Sequence, residues 1–222
     1  MTVENELVHL VSRGEGRTLK PWFYRSMLKR PLDVLLVLLT APVVVPVVLF
    51  FAFLVLRDGG KPFYSQTRIG RNGQLYRIWK LRSMVVDADE RLAAHLADDP
   101  EARREWDETQ KLRHDPRITR FGRFLRRSSM DELPQLWNVL KGEMSLVGPR
   151  PMMPEQREMY DGESYFQLRP GITGYWQVSD RNRTSFSARA LYDDVYDRNL
   201  SFTGDLGILM RTVGVVMRAT GC

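Results

Sequence analysis

The feature that most constrains this chain is a stretch of 23 residues without a charge, from Val34 to Leu56. As an α-helix it would be roughly 34 Å long, enough to cross the ~30 Å hydrocarbon core of a bilayer. It begins too late and is too long for a signal peptide, and no small-residue cleavage site follows it. We therefore expect a membrane segment here, and its simplest form is a transmembrane span.

Two properties of the stretch favour a re-entrant helix over a span. Pro42 and Pro46 lie near its middle, where an interior proline costs about 3 kcal/mol and kinks or breaks the helix. Both flanks are basic, with Arg30 before and Arg57 after, and the positive-inside rule keeps such flanks on the cytoplasmic side. A helix that enters, bends at Ala41-Pro42 and returns satisfies both constraints, and a true span remains the alternative.

The chain divides into three parts by composition. Residues 1–28 form a polar lead-in, residues 29–58 the membrane helix, and residues 59–222 a cytosolic catalytic domain. Within the last part, residues 87–115 are rich in acids and poor in large apolar groups. They predict a solvated helical excursion, divided into two pieces by Pro100.

A β-hairpin is predicted directly after the membrane segment. Asn72-Gly73 is a strong turn signal between two β-rich runs in KPFYSQTRIGRNGQLYRIWKLRSM. The second strand would carry Lys80 and Arg82.

Two further segments have helical periodicity, and each leaves two interpretations open. In RITRFGRFLRR, arginines at every third position alternate with apolar residues, giving either a solvated basic face or a phosphate or anionic-lipid surface. Near the C-terminus, a helical apolar stripe indicates either core packing or a helix lying on the bilayer. Its members are Leu206, Leu209, Met210, Val213, Val216 and Met217.

Composition narrows the chemistry. The 33 Lys and Arg against 27 Asp and Glu give a formal net charge of +6, which favours anionic partners: nucleic acid, phosphate compounds or an acidic membrane. Cys222 is the single cysteine, so a disulfide framework and a cysteine metal cluster are excluded. The three histidines lie far apart, and no nucleophile elbow, P-loop or dinucleotide fingerprint appears. A reaction would have to use carboxylates and basic groups.

The stretch SSMDELPQLWNVLKG, residues 128–142, places two adjacent acids, Asp131 and Glu132, at the start of an amphipathic helix. One interpretation is structural, because Ser129 to Glu132 fits the S-x-x-E capping box. Pro134 instead favours a helix that begins at the acids, since the proline then lies in the first turn, where no backbone hydrogen bond is lost. A helix start also offers N–H groups to a phosphate and favours an ionised, nucleophilic carboxylate. Capping and catalysis both stay open at this point.

Downstream, three arginines lie in turns rich in Gly and Pro. Arg150 lies in EMSLVGPRP, and Arg169 and Arg181 lie in LRPGITGYWQVSDRN. Such turns expose backbone N–H groups beside a guanidinium, an arrangement suited to a diphosphate. Together with the membrane segment, they indicate a cytosolic phosphate substrate that meets a membrane.

Over residues 25–218 the chain resembles the bacterial sugar transferases of the monotopic phosphoglycosyl transferase superfamily. The resemblance runs, in order, through KRPLD, the proline-broken apolar segment, FYSQTRIGRNG, IWKLRSM, DPRITRFGRFLRRSSMDELPQLWNVLKGEMSLVGPRP and RPGITGYWQVSDRN. It implies a mainly helical α+β fold, in which a re-entrant membrane helix-hairpin joins a small cytosolic α/β body with a β-hairpin and interfacial amphipathic helices.

The resemblance also implies a reaction. A sugar 1-phosphate, with galactose or glucose 1-phosphate the leading expectation, would pass from a UDP-sugar to undecaprenyl phosphate. The products would be undecaprenyl-diphosphate-sugar and UMP, at the cytosolic face of the bacterial inner membrane. This reaction would be the first membrane step of exopolysaccharide, O-antigen or glycoconjugate assembly. Membrane lipids are expected partners, nucleic acid is not, and self-association stays open.

By the match at DEL, the resemblance makes Asp131 the nucleophile on the β-phosphorus and Glu132 a ligand of Mg²⁺. A carboxylate approaching a diphosphate is repelled by about 4 kcal/mol per charge pair at 4 Å and an effective dielectric near 20, so cations are needed. The candidate phosphate-binding side chains are Lys80, Arg82, Arg126, Arg150, Arg169 and Arg181.

The chain departs from the family pattern at two places. Family members commonly have Ser-Pro at the membrane break, where this chain has Ala41-Pro42, with Thr40 as a nearby hydroxyl. The acidic excursion is longer than in the smallest members. Two other functions stay as alternatives: a glycosyltransferase that moves only the sugar and releases UDP, and a membrane-tethered nucleic-acid-binding protein.

Overall fold

The computed structural model describes residues 21–109, 112–179, 186 and 188–217. A short helix, Pro21–Phe23, and a π-helical turn, Tyr24–Leu28, lead into the long helix α1, Lys29–Leu56. Across the described residues, Tyr24–Leu56 is the single helix long and apolar enough to cross a membrane, a property of length and composition alone.

Helix α1 carries both prolines and is assigned as one continuous α-helix. Pro42 has no N–H for the carbonyl four residues earlier. Nearby, the Thr40 hydroxyl donates to the Leu36 carbonyl at 2.8 Å, a contact that often accompanies bent helices. The change of direction that a re-entrant path requires at Ala41-Pro42 stays a prediction.

The first turns of α1 are bound to the folded body by polar contacts. The buried carboxylate of Asp33 accepts a hydrogen bond from the Ser145 hydroxyl at 2.7 Å. Lys29 forms a 2.5 Å ion pair with buried Asp205, which also accepts from the hydroxyls of Tyr24 and Tyr196 at 2.8 Å. The Lys29 and Asp205 charges are paired, and the Asp33 carboxylate is hydrogen-bonded, which offsets the cost of burial.

The last turns of α1 are bound to the same body. Val55 is buried against Leu81 and Leu125, and its carbonyl accepts a hydrogen bond from Arg82 at 3.1 Å. Between the two attachments, large apolar side chains of α1 are exposed: Leu35, Leu36, Leu38, Leu39, Val43, Val45, Leu49, Phe50 and Phe53.

The predicted hairpin is confirmed. Strands β1, Phe63–Ile69, and β2, Leu75–Leu81, pair antiparallel, with Tyr64 opposite Lys80 and Arg68 opposite Tyr76. The turn between them contains Asn72 at φ 58° and Gly73 at φ 75°, the left-handed values that Asn-Gly tolerates.

The acidic excursion is helical and divided as predicted. Helix α2, Ala88–Asp98, and helix α3, Pro100–Thr109, meet at Asp99. The Asp99 carboxylate accepts from the backbone N–H groups of Glu101 and Ala102 at 2.9 and 3.0 Å, which caps the second helix.

The basic segment forms helix α4, Arg120–Arg127, which begins later than the arginine pattern suggests. Thr119 caps it by accepting from the Gly122 N–H at 2.8 Å, and Arg117 lies before it in a 2.7 Å ion pair with Asp115. The remaining elements are α5, Gln135–Lys141; β3, Ser145–Val147; α6, Ser164–Gln167; β4, Gly171–Thr173; α7, Tyr175–Val178; α8, Ala188–Arg198; and α9, Phe202–Met217.

Strands β3 and β4 form a second, parallel two-stranded sheet, with Ser145 opposite Gly171. Helix α9 resolves one open question from the sequence. It buries Ile208, whereas Leu206, Met210 and Val213 of the predicted stripe are exposed, at 47%, 67% and 56%. Core packing is therefore the wrong interpretation for those three residues.

Candidate functional site

The adjacent acids lie in a 3-10 turn, Met130–Glu132, ahead of α5 rather than inside it. The sequence predicts a helix that begins at the acids, but the α-helix begins at Gln135, with Pro134 as its N-cap. Ser129 adopts φ 57° and makes no side-chain capping bond, so the capping-box interpretation is wrong. Proline has no N–H to donate, which makes it acceptable where an α-helix starts.

Helix α5 is fixed to β2 by the fully buried side chain of Asn138. Its amide donates to the Arg77 carbonyl and to Glu143, both at 2.7 Å, and accepts from the Trp79 N–H at 3.1 Å. Three of the four hydrogen bonds open to an asparagine side chain are therefore made. The bond to Trp79 places the next residue of the strand, Lys80, beside the acids.

Lys80 forms an ion pair with Glu132, with 2.7 Å between Nζ and Oε1. Asp131 is more deeply placed, with 7% of its surface exposed. Burial raises the pKa of Asp131 to about 6; the nearby positive charges of Lys80 and Arg126 oppose that shift, and the charge of Glu132 adds to it. Such a carboxylate is poised to be mostly ionised at pH 7 while being poorly hydrated.

Arg126 is the one arginine of the basic helix that turns toward the acids. Burial lowers its pKa, and attraction to Asp131 opposes that change. Its Nε donates to the buried Ser83 hydroxyl at 2.8 Å. Gly122 lets the helix lie against the Ser83 backbone, because a Cβ at that position would lie 1.9 Å from the Ser83 carbonyl oxygen.

The other predicted phosphate-binding residues lie away from the acids. Arg82 donates to the carbonyls of Val55 and Gly59, and so holds the end of α1. The guanidinium of Arg150 lies over the Trp176 ring at 5.5 Å, and Arg169 donates to the Gly142 carbonyl at 2.9 Å. Arg181 lies outside the described residues.

The site therefore gathers Asp131, Glu132, Lys80 and Arg126. Sequence reasoning missed Ser83 and Asn138, the two buried side chains that position the cations. Gly122 in an otherwise amphipathic helix was a signal of close backbone approach for Ser83. For Asn138, a polar residue next to the apolar stripe was the available signal.

The acids fit a magnesium ion only if a substrate completes its ligands. Within the described ranges, no three His, Cys, Asp or Glu side chains cluster so as to hold a metal ion. Mg²⁺ is commonly bound through one or two carboxylates, with substrate phosphates and waters as the other ligands. Glu132 suits that role better than Asp131, because its side chain is 25% exposed.

Comparison with known proteins agrees with the resemblance. Residues 24–219 match the family model described as bacterial sugar transferase. The UDP-galactose-lipid carrier transferase of Erwinia amylovora is 48% identical over 87% of this chain and 41% of its own length. The undecaprenyl-phosphate galactose phosphotransferase of Salmonella typhimurium is 45% identical over 87% of this chain and 41% of its own length.

A third relative is similar in size. The exopolysaccharide production protein ExoY of Sinorhizobium fredii is 43% identical over 87% of both chains. Against the first two relatives, the chain spans about two fifths of their length.

Proposed function

Because the chain belongs to the bacterial sugar transferase family, we propose that it moves a sugar 1-phosphate from a UDP-sugar to undecaprenyl phosphate. The products are undecaprenyl-diphosphate-sugar and UMP. The observation that carries the proposal is the buried carboxylate of Asp131, with Glu132 next to it in the chain and the charges of Lys80 and Arg126 acting on it.

In the first step, an oxygen of the Asp131 carboxylate attacks the β-phosphorus of the donor. The new bond joins Asp131 to phosphorus, and the bond from the β-phosphorus to the bridging oxygen breaks. UMP leaves with that electron pair, and the sugar phosphate stays on the enzyme as an acyl phosphate. No base is needed to remove a proton from the nucleophile, since Asp131 is ionised above its pKa of about 6.

In the second step, a phosphate oxygen of the polyprenyl phosphate attacks the same phosphorus and releases the Asp131 carboxylate. Covalent catalysis divides one transfer into two, so that a water-soluble donor and a lipid acceptor bind in turn.

Charge neutralisation is the main task of the neighbouring groups. Lys80 and Arg126 offset the repulsion between Asp131 and the diphosphate, and both are held in place, by Glu132 and Ser83 respectively. A magnesium ion held by Glu132 and the donor phosphates would supply further positive charge toward the leaving nucleotide.

A monotopic placement on the membrane is supported by the two attachments of α1. Asp33 near its start and Val55 near its end both contact the body, whereas the ends of a spanning helix would lie on opposite sides of the bilayer. Exposed apolar side chains on α1 and α9, and Trp22 at 71% exposure, offer a surface for the bilayer. We place this surface at the cytosolic face of the inner membrane.

Galactose or glucose 1-phosphate is the transferred group we propose. The names of two relatives refer to galactose, and that of the third to exopolysaccharide production.

Product analysis tests the proposal directly. The full chain in membranes is incubated with undecaprenyl phosphate and a panel of UDP-sugars, and the released nucleotide is identified. We expect UMP with the sugar phosphate in the lipid fraction. Release of UDP would instead indicate a glycosyltransferase. Salt-dependent oligonucleotide binding without turnover of any UDP-sugar would support the nucleic-acid alternative.

The covalent step has its own test. The variant Asp131→Asn should neither turn over nor form a phosphosugar adduct on intact-protein mass spectrometry, because an amide does not replace the nucleophilic oxygen. Glu132→Gln serves as the matched neighbour, and it should slow adduct formation while keeping the adduct site at position 131. Full activity of Asp131→Asn would end the assignment of the nucleophile.

A further inference from the structure

Three arginines, Arg68, Arg150 and Arg189, lie close enough to repel one another and are called here the arginine triad; two of them lie over the ring of Trp176. The guanidinium of Arg189 lies 4.2 Å from the centre of the Trp176 ring, and that of Arg150 lies 5.5 Å from it. Arg68 reaches the carbonyl of Pro151, next to Arg150 in the chain, at 3.5 Å. Guanidinium groups that approach one another this closely favour an anion between them.

The positive charge of the triad is not balanced within the described part of the chain. None of the three arginines forms an ion pair there. The buried acid beside them, Asp193, accepts a hydrogen bond from Tyr160 at 2.8 Å instead. Burial raises the pKa of Asp193 to about 7, so it supplies only part of a negative charge near neutral pH.

Within the part of the chain that the structure describes, several buried polar atoms of the triad and of neighbouring Gln177 have no hydrogen-bond partner. They include the Nε atoms of Arg68 and Arg189 and both amide atoms of the buried Gln177. A buried donor without a partner costs about 1–3 kcal/mol, and a charged one costs more. A bound anion would satisfy the arginine donors. The mutual repulsion of the triad, with burial as the larger cause, also lowers the pKa of Arg68 and Arg189.

The triad lies in line with the two acids along one face of the hairpin. Residues opposite each other in an antiparallel pair share a face, and every second residue along a strand returns to it. Lys80 is opposite Tyr64, and Arg68 follows Tyr64 by four residues. Lys80 and Arg68 therefore project from one face, with an offset of about 13 Å along the strand direction that their long side chains can reduce.

We propose that the arginine triad binds the nucleotide phosphate of the donor, so that the UDP-sugar lies along the hairpin face with its β-phosphorus at Asp131. This inference rests on the proposed function and adds Arg68 and Arg189 to the substrate site. A soluble nucleotide fits the Arg189 side of the triad. The cluster that contains Trp176 includes Leu32 of α1, but Arg189 also lies 4.4 Å over the Phe186 ring, in a second apolar cluster that contains no residue of α1. That cluster consists of Ile69, Met152, Tyr160 and Tyr165, with Phe166, Phe186 and Ala190 packed against it.

Binding of UMP to the detergent-solubilised full chain, measured by titration calorimetry at low salt, tests the triad. Arg68→Gln and Arg189→Gln should each weaken the affinity for UMP at least tenfold. The matched controls are Arg77→Gln on β2 and Arg198→Gln on α8, both exposed, which should bind UMP like the unmodified chain. Circular dichroism checks that each variant is folded. If Arg189→Gln does not fold, Arg189→Lys takes its place, and we expect an intermediate loss of affinity for UMP.

A parallel titration with a short-chain polyprenyl phosphate separates the two sources of phosphate. Affinity for UMP within twofold of the unmodified chain in both triad variants would overturn the proposal. So would a loss of polyprenyl-phosphate binding without a loss of UMP binding, which would assign the triad to the acceptor.

The same measurements separate this inference from the proposed function. If transfer to the lipid occurs and the triad variants bind UMP normally, the triad assignment alone fails. If no UDP-sugar gives a lipid-linked phosphosugar but the triad variants lose UMP, the proposed function fails and the nucleotide site stands.

Discussion

At the scale of single residues, Asp131 combines two properties that conflict in a folded protein. Its carboxylate is buried, which disfavours the charge, and its proposed chemistry requires that charge. Lys80 and Arg126 reduce the conflict without removing it, since the pKa of Asp131 is still raised to about 6. We therefore expect both the rate of transfer and the free energy of unfolding to depend on the ionisation of Asp131.

The rate of transfer should fall in acid. Only the ionised carboxylate attacks phosphorus, so kcat/KM should drop about tenfold per pH unit below a midpoint near pH 6. Lys80 is the largest influence opposing the raised pKa, so Lys80→Met should move the midpoint to higher pH in whatever activity remains. A rate that is level between pH 7 and 5 would contradict this expectation.

The raised pKa of Asp131 should also make the free energy of unfolding depend on pH. Because the pKa of Asp131 is higher when folded (about 6) than its ordinary value of 3.8, the folded state holds the proton more tightly, and stability falls as pH rises between those values. Above pH 6, burying the ionised Asp131 carboxylate lowers the free energy of unfolding by its full amount, at most about 3 kcal/mol.

Asp131→Asn should therefore unfold at a higher temperature than the unmodified chain at pH 7.5, while losing all transfer. The gain should shrink toward zero as the pH is lowered to 4. Glu132→Gln, which breaks a partly exposed ion pair with Lys80, should give no such gain. Equal unfolding temperatures of Asp131→Asn and the unmodified chain at pH 7.5 would show that the buried charge of Asp131 does not destabilise the fold.

At the scale of elements, the contact between α5 and β2 is what joins the acids to Lys80. Asn138 makes it through three hydrogen bonds while fully buried. Asn138→Ala removes these bonds and leaves the Trp79 N–H without its partner, so we expect a loss of about 2–4 kcal/mol in the free energy of unfolding.

That loss can be measured by urea unfolding of the detergent-solubilised chain. Lys141→Ala on the same helix, where the lysine is exposed, is the control and should cost less than about 0.5 kcal/mol. Adduct formation should slow in Asn138→Ala, because Lys80 is no longer held beside Glu132. An Asn138→Ala variant as stable as the control would show that the contact does not fix the element.

Local sequence signals predicted some elements correctly and others incorrectly. The hairpin followed from Asn72-Gly73 and the division of the acidic excursion from Pro100, because a turn or a missing N–H acts within a few residues. The start of α5 was placed too early, since a 3-10 turn and the first turn of an α-helix accept the same sequence. Ser129 in the left-handed region carried no signal, because serine rarely adopts it.

Long-range placement was the harder part of the site. The acids were identified with Lys80 and Arg126 as partners, and the structure brings those four residues together. Arg82 was grouped with them because it is close in sequence, but its position after the strand directs it to the end of α1. Which arginines face which acid depends on how helices pack on the hairpin, and periodicity does not contain that information.

At the scale of the whole molecule, one long apolar helix is attached to the body at both of its ends. The first turns of α1 are held by Asp33 and Lys29 and the last by Val55, while its middle is apolar and exposed. The re-entrant path that we propose would put both ends of the helix on the side where the body lies. The exposed stripe of α9 extends the apolar surface beyond α1.

Cysteine accessibility tests this topology, and we expect both flanks of α1 to lie in the cytoplasm. In a Cys222→Ser background, Ser26→Cys precedes the apolar stretch and Asp58→Cys follows it, at two exposed positions. A membrane-impermeant maleimide should label neither in intact cells and both in inverted vesicles. Ala94→Cys, exposed on the acidic helix α2 of the body, is the control and should follow the same pattern. A spanning helix requires the two flanks to differ, so labelling of position 26 alone in intact cells would rule out the re-entrant path, since the body, with position 58, would stay inside.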